Sequence, residues 1–255
     1  MYFHNQIKLL KQIKFLKKNY NLYGLKAEFE AEGSSNQDIQ ILRSITLKSN
    51  TKLFVKIGGV EAINDIYNCL EIGVDGIIAP MVETEFGVYK FVNFFKKNKL
   101  IKKPHLTINI ETKSSFENLS SILSVGKNFI DNITIGRSDF SASYFNKSIT
   151  PDSNFINDKI ISISNQAKKY SITTTVGGSV SQKTIDKIRK NKEFLKKIVK
   201  LETRKVILPV RGFLKKDAII NALNFEKNYI LLKNEINQFK LESENNRLTT
   251  LTTRK

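Results

Sequence analysis

A single cysteine, Cys69, in 255 residues leaves no partner for an internal disulfide, so a reducing cytoplasm is the expected compartment. Histidine is nearly as scarce. Only His4 and His105 occur, without a Cys/His cluster, which excludes a zinc site of the usual kind. With 4 prolines and 12 glycines, no Pro- or Gly-rich linker divides the chain. No run of eighteen apolar residues exists, so no membrane span is expected. The start of the chain alternates lysine with leucine and isoleucine. It has neither the unbroken apolar stretch nor the small-residue cleavage site of a secretory signal.

Negative charge is also short: 24 acidic residues stand against 42 Lys and Arg, a net charge of +18. Such an excess can draw nucleic acid or anionic membrane. Here it is mostly lysine, with abundant Asn and Ile, a trio that reflects coding bias as much as a binding surface. The lysines gather in helix-like stretches at 8–18, 96–103 and 190–205, where they form solvated faces. No motif for groove or base reading occurs, so no specific nucleic-acid partner is expected. A positive field would still favour an anionic substrate.

What is present is an alternation. Short β-rich runs lie at 24–30, 52–59, 76–81, 106–112, 132–139, 171–178 and 205–210. Helical stretches at 35–48, 60–72, 84–98, 114–124, 155–169, 181–199 and 215–245 separate and follow them. Strands alternating with helices predict parallel βαβ units. Glycines and charged residues at several strand ends suit the loops of a TIM-type (β/α) barrel. A doubly wound open sheet would want a G-x-G-x-x-G turn, which is missing. The reading divides the chain into an N-terminal amphipathic helix (1–22), a barrel (23–214), a long C-terminal helix (215–245) and a polar, frayed tail (246–255). The N-terminal helix carries Ile7, Leu10, Ile13 and Leu16 on one side and is expected to cross the barrel bottom. Ile220, Leu223, Ile230, Ile236 and Phe239 form an imperfect seam on the C-terminal helix, and a homo-oligomer is expected.

Three groups of residues can carry chemistry. In KAEFEAE, strand alternation puts Lys26, Glu28, Glu30 and Glu32 on one face, a carboxylate ladder that needs cations if buried. Lys56, ending the next strand, is a candidate counter-charge. Glu111 and Asp139 each end a short apolar strand. In a barrel such ends converge, and paired carboxylates with water suit Mg2+ or Mn2+; taken singly, each is also an ordinary loop acid. The turns Gly136-Arg137-Ser138-Asp139 and Gly177-Gly178-Ser179 let backbone approach an anionic ligand closely.

Four stretches together resemble the HpcH/HpaI aldolase/citrate lyase family of the phosphoenolpyruvate/pyruvate barrel superfamily. They are FEAEGSSNQDIQIL, IGVDGIIAPMVET, INIETKSSFENLSSI and ITIGRSDFSAS, within residues 23–180. The last two are similar to the family's I-E-T-x-x-A-x-E-N-L-x-x-I and G-P-x-D-L-S-x-S blocks. The resemblance implies a divalent-metal barrel that makes or breaks C–C bonds beside the enolate of a 2-oxo acid. It implies that Glu111 and Asp139 are metal ligands and that backbone around Ser138 and Asp139 holds the substrate carboxylate.

The chain departs from the family pattern at several points. The family's catalytic His falls at Gly33, and its enolate-stabilising Arg falls at Lys56, which keeps the charge but loses the planar fork. Proton transfer is then left to Glu30, Glu32, water or the substrate itself. Arg137 stands where the family has Pro and is expected to meet an extra anionic group. The family's first strand has no counterpart here, so the first strand is read as incomplete or modified. The alternatives are acyl-CoA or citrate-type lyase chemistry at the same metal, or a barrel that has lost catalysis and serves in binding or assembly.

Overall fold

A computed structural model describes residues 3–98 and 100–254; residues 1, 2 and 255 of the expected end segments, and residue 99 within the 96–103 run, lie outside them. Helix α1 (His4–Tyr20) leads into β1 (Gly24–Glu28), α2 (Asn36–Lys48), β2 (Lys52–Lys56), α3 (Ile63–Ile72), β3 (Gly76–Ala79) and α4 (Glu85–Lys97). Then come β4 (His105–Ile110), α5 (Lys113–Glu117), α6 (Leu119–Gly126), β5 (Asn132–Gly136), α7 (Arg137–Ala142), α8 (Asn154–Lys168) and β6 (Thr173–Gly177). The chain ends with α9 (Gln182–Lys190), α10 (Lys192–Lys197), β7 (Lys200–Glu202), β8 (Val206–Pro209), α11 (Val210–Phe213) and α12 (Ala218–Thr252). The strands close into one barrel in sequence order. Strands β1 to β7 run parallel, whereas β8 lies antiparallel to both β7 and β1.

The closed barrel thus has eight strands, not the seven read from the sequence. The missed one, β7, has three residues, Lys-Leu-Glu, and blends into a lysine-rich stretch. No strand precedes Gly24 among the described residues. A hairpin through Thr203, Arg204 and Lys205 sends β8 back to fill the gap beside β1.

The elements follow from local chemistry. The strands are rich in β-branched residues, which fit a pleated buried surface. Side chains of Ser35, Thr84, Thr112, Ser153 and Ser181 accept backbone N–H bonds and start their helices. Along each strand one set of side chains packs outward under the helices, as Leu25, Ala27, Leu53, Val55, Ile77 and Ala79 do. The inward set builds a small apolar plug of Phe54, Ile78 and Ile207 with Tyr23 against it. Beyond the plug the interior is polar, with Lys26, Glu28, Thr107, Asn109, Thr134 and Glu202 all buried. Such an interior departs from the branched apolar layers that usually fill these barrels.

The terminal helices also differ from expectation. α1 buries Leu9, Ile13, Leu16 and Tyr20, while Ile7 is exposed. It lies along the flank rather than across the bottom. His4 and Asn5 meet Glu235, Gln12 meets Asn221 and Asn228, and Tyr20 meets Lys216, so α1 runs antiparallel to α12. α12 continues through Thr252, seven residues past the expected boundary at 245, so most of the expected frayed tail is helical.

Phe54 fills the plug only because its neighbours lack side chains. A Cβ at Gly24 would lie 2.7 Å from its ring, and one at Gly76 would lie closer still. Gly76→Ala is expected to destabilise the barrel by about 1–3 kcal/mol through overpacking. Phe54→Leu should recover part of that loss in the double variant, as read by thermal melting.

Candidate active site

The C-terminal ends of the parallel strands surround a cavity of about 470 Å³. Into it face Lys26 and Glu28 of β1, Lys56 of β2, Asn109 and Glu111 at the end of β4, and Ser138 and Asp139 at the start of α7. Gly136, Gly177 and Gly178 complete that wall, and Glu202 and Arg204 enter from the β7–β8 hairpin. Leu223 and Glu226 of α12 border the mouth.

A chain of alternating charge holds the interior together. Glu202 meets Lys26 at 2.7 Å, Lys26 meets Glu28 at 3.1 Å, and Glu28 meets Lys56 at 3.0 Å. Burial works against the Lys26 ammonium, yet Glu202 and Glu28 outweigh it and raise its pKa. Burial likewise opposes the Glu28 carboxylate, and Lys26 with Lys56 overcomes that and holds it below the ordinary range.

Glu111 is in a different situation. It is 4% exposed, and burial raises its pKa. The Met81 N–H, the Lys56 charge and the Asn109 amide pull the pKa down, and the nearby Asp139 charge pushes it further up. Met81 donates its N–H to Oε1 at 2.9 Å from a left-handed backbone, φ 51°, an uncommon conformation for a side-chain-bearing residue. Asn109 donates to both Glu111 oxygens, at 3.2 and 3.1 Å, which leaves its own buried Oδ1 without a partner. Glycines make room for these acids. A Cβ at Gly136 would collide with Glu111 Oε2, and one at Gly177 would come within 2.9 Å of Glu202 Cγ. Neither Glu111 nor Asp139 forms an ion pair among the described residues.

The sequence-derived residues therefore divide. Lys56, Glu111, Asp139, Gly136, Ser138, Gly177 and Gly178 meet in one cavity. Glu30 and Glu32 do not reach it. Strand β1 stops at Glu28, and a turn closed by Gly33 N–H to Glu30 O takes both acids off the cavity wall. Glu30 is exposed beside Gly58 and Asp65. Glu32 is ion-paired to Lys205 on the hairpin.

The side chain of Arg137 also turns away from the cavity. It is 2% exposed, donates to the carbonyls of Gly177 at 3.1 Å and Gly178 at 2.7 Å, and pairs with Asp152 at 2.7 Å. The anionic group it meets is therefore its own chain's Asp152. Its work is to pin the start of α7 to the loop after β6. Across that seam Ser138 and Ser179 hydroxyls bond at 2.7 Å.

Sequence reasoning missed Glu202, Asn109, Arg204 and Glu226. Asn109 was legible, since Thr107, Asn109 and Glu111 share one face of a strand. Glu202 was hidden with β7.

Arg137→Met is expected to cost about 3 kcal/mol, the lower end for breaking a buried pair, because Asp152 keeps some solvent contact. Chemical denaturation would measure it. A loss below about 0.5 kcal/mol, the range of ordinary surface changes, would remove Arg137 as the pin.

Comparison with known proteins agrees with this architecture. The model of the HpcH/HpaI aldolase/citrate lyase family matches residues 36–207. A search of curated proteins gives no match. An HpcH/HpaI aldolase from Desulfitobacterium hafniense superposes with a TM-score of 0.60 at 13% identity, covering 80% of this chain and 82% of that one. The citrate synthase SbnG gives 0.58 at 16% identity, over 71% and 78% of the two chains. A citrate lyase from Burkholderia xenovorans gives 0.60 at 11% identity, over 85% and 72%. At such identities these likenesses speak for the fold alone, and the family match carries the assignment. The chain belongs to the HpcH/HpaI aldolase/citrate lyase family.

Proposed function

We propose that this chain is a divalent-metal-dependent carbon–carbon lyase acting through the enolate of pyruvate or another 2-oxo acid. One observation carries the reading. Five carboxylates face the cavity, and three of them, Glu28, Glu202 and Glu226, are matched by Lys26, Lys56 and Arg204. Glu111 and Asp139 are left without a cation, close enough for Asp139 to raise the Glu111 pKa. Beside them lies the orphaned Asn109 oxygen.

Among the described residues no group of three or more His, Cys, Asp or Glu gathers for a metal. Two carboxylates and an amide oxygen nevertheless fit a hard cation such as Mg2+ or Mn2+, which completes its shell with water and substrate. When bound, the ion supplies Lewis acidity that stabilises enolate charge.

The chain's own residues do the rest. The first-turn N–H groups of α7, at Ser138 and Asp139, lack intrahelical partners and receive the substrate carboxylate. Gly178 permits that approach, since any Cβ there would crowd the Arg137 and Ser138 nitrogens at 2.6 Å. Lys56 adds positive charge near Glu111. With Glu30 and Glu32 outside the cavity, protons pass by way of water or the substrate. Buried, unpaired Cys69 suits a reducing cytoplasm, and no described helix is long and apolar enough to cross a membrane.

Solvent deuterium exchange at the methyl group of pyruvate tests the reading. The protein should catalyse it with Mg2+ or Mn2+, and Glu111→Gln and Asp139→Asn should each abolish calorimetric metal binding while the fold remains. Absence of exchange with either ion, or metal affinity unchanged in both variants, would overturn the assignment.

Lys56 gives a separate outcome. Removing one donor of transition-state charge typically lowers rate roughly 10²–10³-fold. Lys56→Met should do so in protein that is still folded at the assay temperature, with a lowered melting point because Glu28 keeps only the Lys26 it shares with Glu202. Lys56→Arg should keep part of the activity. Full turnover with a lowered melting point would confine Lys56 to charge balance.

A further inference from the structure

The lysine-rich stretch at 190–205 contains one member that is not solvated. Lys200, the first residue of β7, is 6% exposed and belongs to the bottom of the barrel, away from the cavity. Among the described residues it has neither a carboxylate partner nor a hydrogen bond. Its Nζ stands 4.4 Å from the centre of the Tyr23 ring. The Nζ of Lys52, the first residue of β2, stands 4.9 Å from the centre of the same ring. A ring face attracts a cation, but two ammonium groups gathered on one ring repel each other. Burial lowers the Lys200 pKa to about 8; Glu202 opposes the shift and Lys52 adds to it.

The acids around this spot are already engaged. Asp75, ahead of β3, takes Arg43 at 2.7 Å and the Leu53 N–H. Asp131, ahead of β5, takes Lys103 at 2.8 Å and the Leu106 N–H. Glu202 is held by Lys26 on the cavity side. A depression of about 520 Å³ opens here, with Lys52, Phe54, Lys103 and His105 on its walls. His105, the first residue of β4, stands edge-on to Phe54, and its Nδ1 lies 3.4 Å from the Thr107 hydroxyl. Its Nε2 has no partner among the described residues. Burial keeps the ring neutral by lowering its pKa to about 4; Asp131 opposes this, and Lys200, Lys103 and Lys52 reinforce it. With Nδ1 accepting from Thr107, Nε2 carries the proton and is free to donate it.

We propose that the barrel bottom is a second binding site, for a doubly charged tetrahedral oxyanion such as phosphate or the phosphoryl end of a small metabolite. The anion bridges Lys52 and Lys200 and accepts the Nε2–H of His105. Lys200 thereby acquires the negative partner that its own chain does not supply, and two repelling ammonium groups become a joint point of attachment. A nucleic-acid backbone fits less well. Lys200 is enclosed, so a single anionic group reaches it where a continuous chain of phosphates cannot follow, and Asp75 and Asp131 put negative charge on the same depression. The apolar plug around Phe54 separates this site from the cavity.

The scarcity of histidine makes a local test possible. In NMR spectra of the full chain, sodium phosphate or sulfate added at constant ionic strength should move the His105 ring resonances and leave those of His4, on α1, in place. Lys52→Gln, at an exposed position, should weaken binding about tenfold or more, as expected for losing one charge-assisted hydrogen bond. Lys200→Met should abolish it, and phosphate should raise the melting point of the unaltered chain but not of this variant. Sulfate keeps its double charge at neutral and alkaline pH, so the pH dependence of its binding reports the protein. Affinity should be full well below pH 8 and fall as pH rises past about 8, where Lys200 loses its proton. His105 is neutral throughout, and Tyr23, whose pKa is raised by burial and Asp131, remains a phenol near neutrality. No response of His105 to millimolar phosphate or sulfate would overturn the proposal. So would shifts that persist in Lys200→Met, affinity indifferent to that pH range, or binding of an oligonucleotide but not of phosphate.

Discussion

The chain of charge from Glu202 through Lys26 and Glu28 to Lys56 is the constraint around which the barrel is arranged. Isolated ions in that interior would be strongly disfavoured. In alternation they hold one another charged, which is why the Lys26 pKa rises and the Glu28 pKa falls, each against the effect of its own burial. The polar interior has two further consequences. Apolar packing is confined to the small plug around Phe54. The wall must also leave space for carboxylate heads, and glycines at 136 and 177 provide it.

One link in that chain depends on the unusual closure. Glu202 belongs to β7, a three-residue strand followed at once by the turn into β8. A helical connection there would have led the chain out to the flank. The hairpin instead keeps it at the mouth, sets Lys205 against Glu32, and delivers Arg204 to the cavity. The reversed β8 ends at the barrel bottom, so α12 starts there and climbs past the site. The same reversal that supplies an internal counter-charge also sends a long helix beyond the body.

Much of this was legible in the sequence, for a physical reason. Parallel strands and their helices alternate with strong periodicity, and charged residues after apolar runs mark the open end of a barrel. Glu111 and Asp139 stood out that way, and the cavity holds both. Glu30 and Glu32 did not behave as read, because alternation applies only while a strand lasts, and β1 ends at Glu28. Arg137 looked like a ligand-facing cation because sequence does not say which way a side chain leaves a turn; Asp152, distant in the pattern, claims it. β7 escaped because three residues carry too little periodicity to separate from a lysine-rich helix end. On α12 the residues of the seam read from the sequence do not share one face. Ile220, Leu223 and Ile230 lie on the exposed face, whereas Ile236 packs toward the core.

The overall charge and the local charge have opposite signs. The chain carries +18, yet five carboxylates against three cations face the cavity. Lysines on the outer helices create a long-range field that draws anions inward, and salt weakens it with distance. In the proposed reading an arriving 2-oxo acid meets Glu111 and Asp139, whose charges repel it at short range. In the proposed reading these demands conflict until the acid pair is neutralised, so substrate affinity depends on that neutralisation. Burial makes the dependence sharper. Burial and the Asp139 charge both push the Glu111 pKa up, and a nearby cation opposes them. A proton would silence the site, whereas a cation would leave Glu111 charged and turn a repulsive pair into a point of attachment. The basic exterior and the acidic pair are thus complementary. In the proposed reading the first gathers anions without selection, and the second would admit them only with a cation bound.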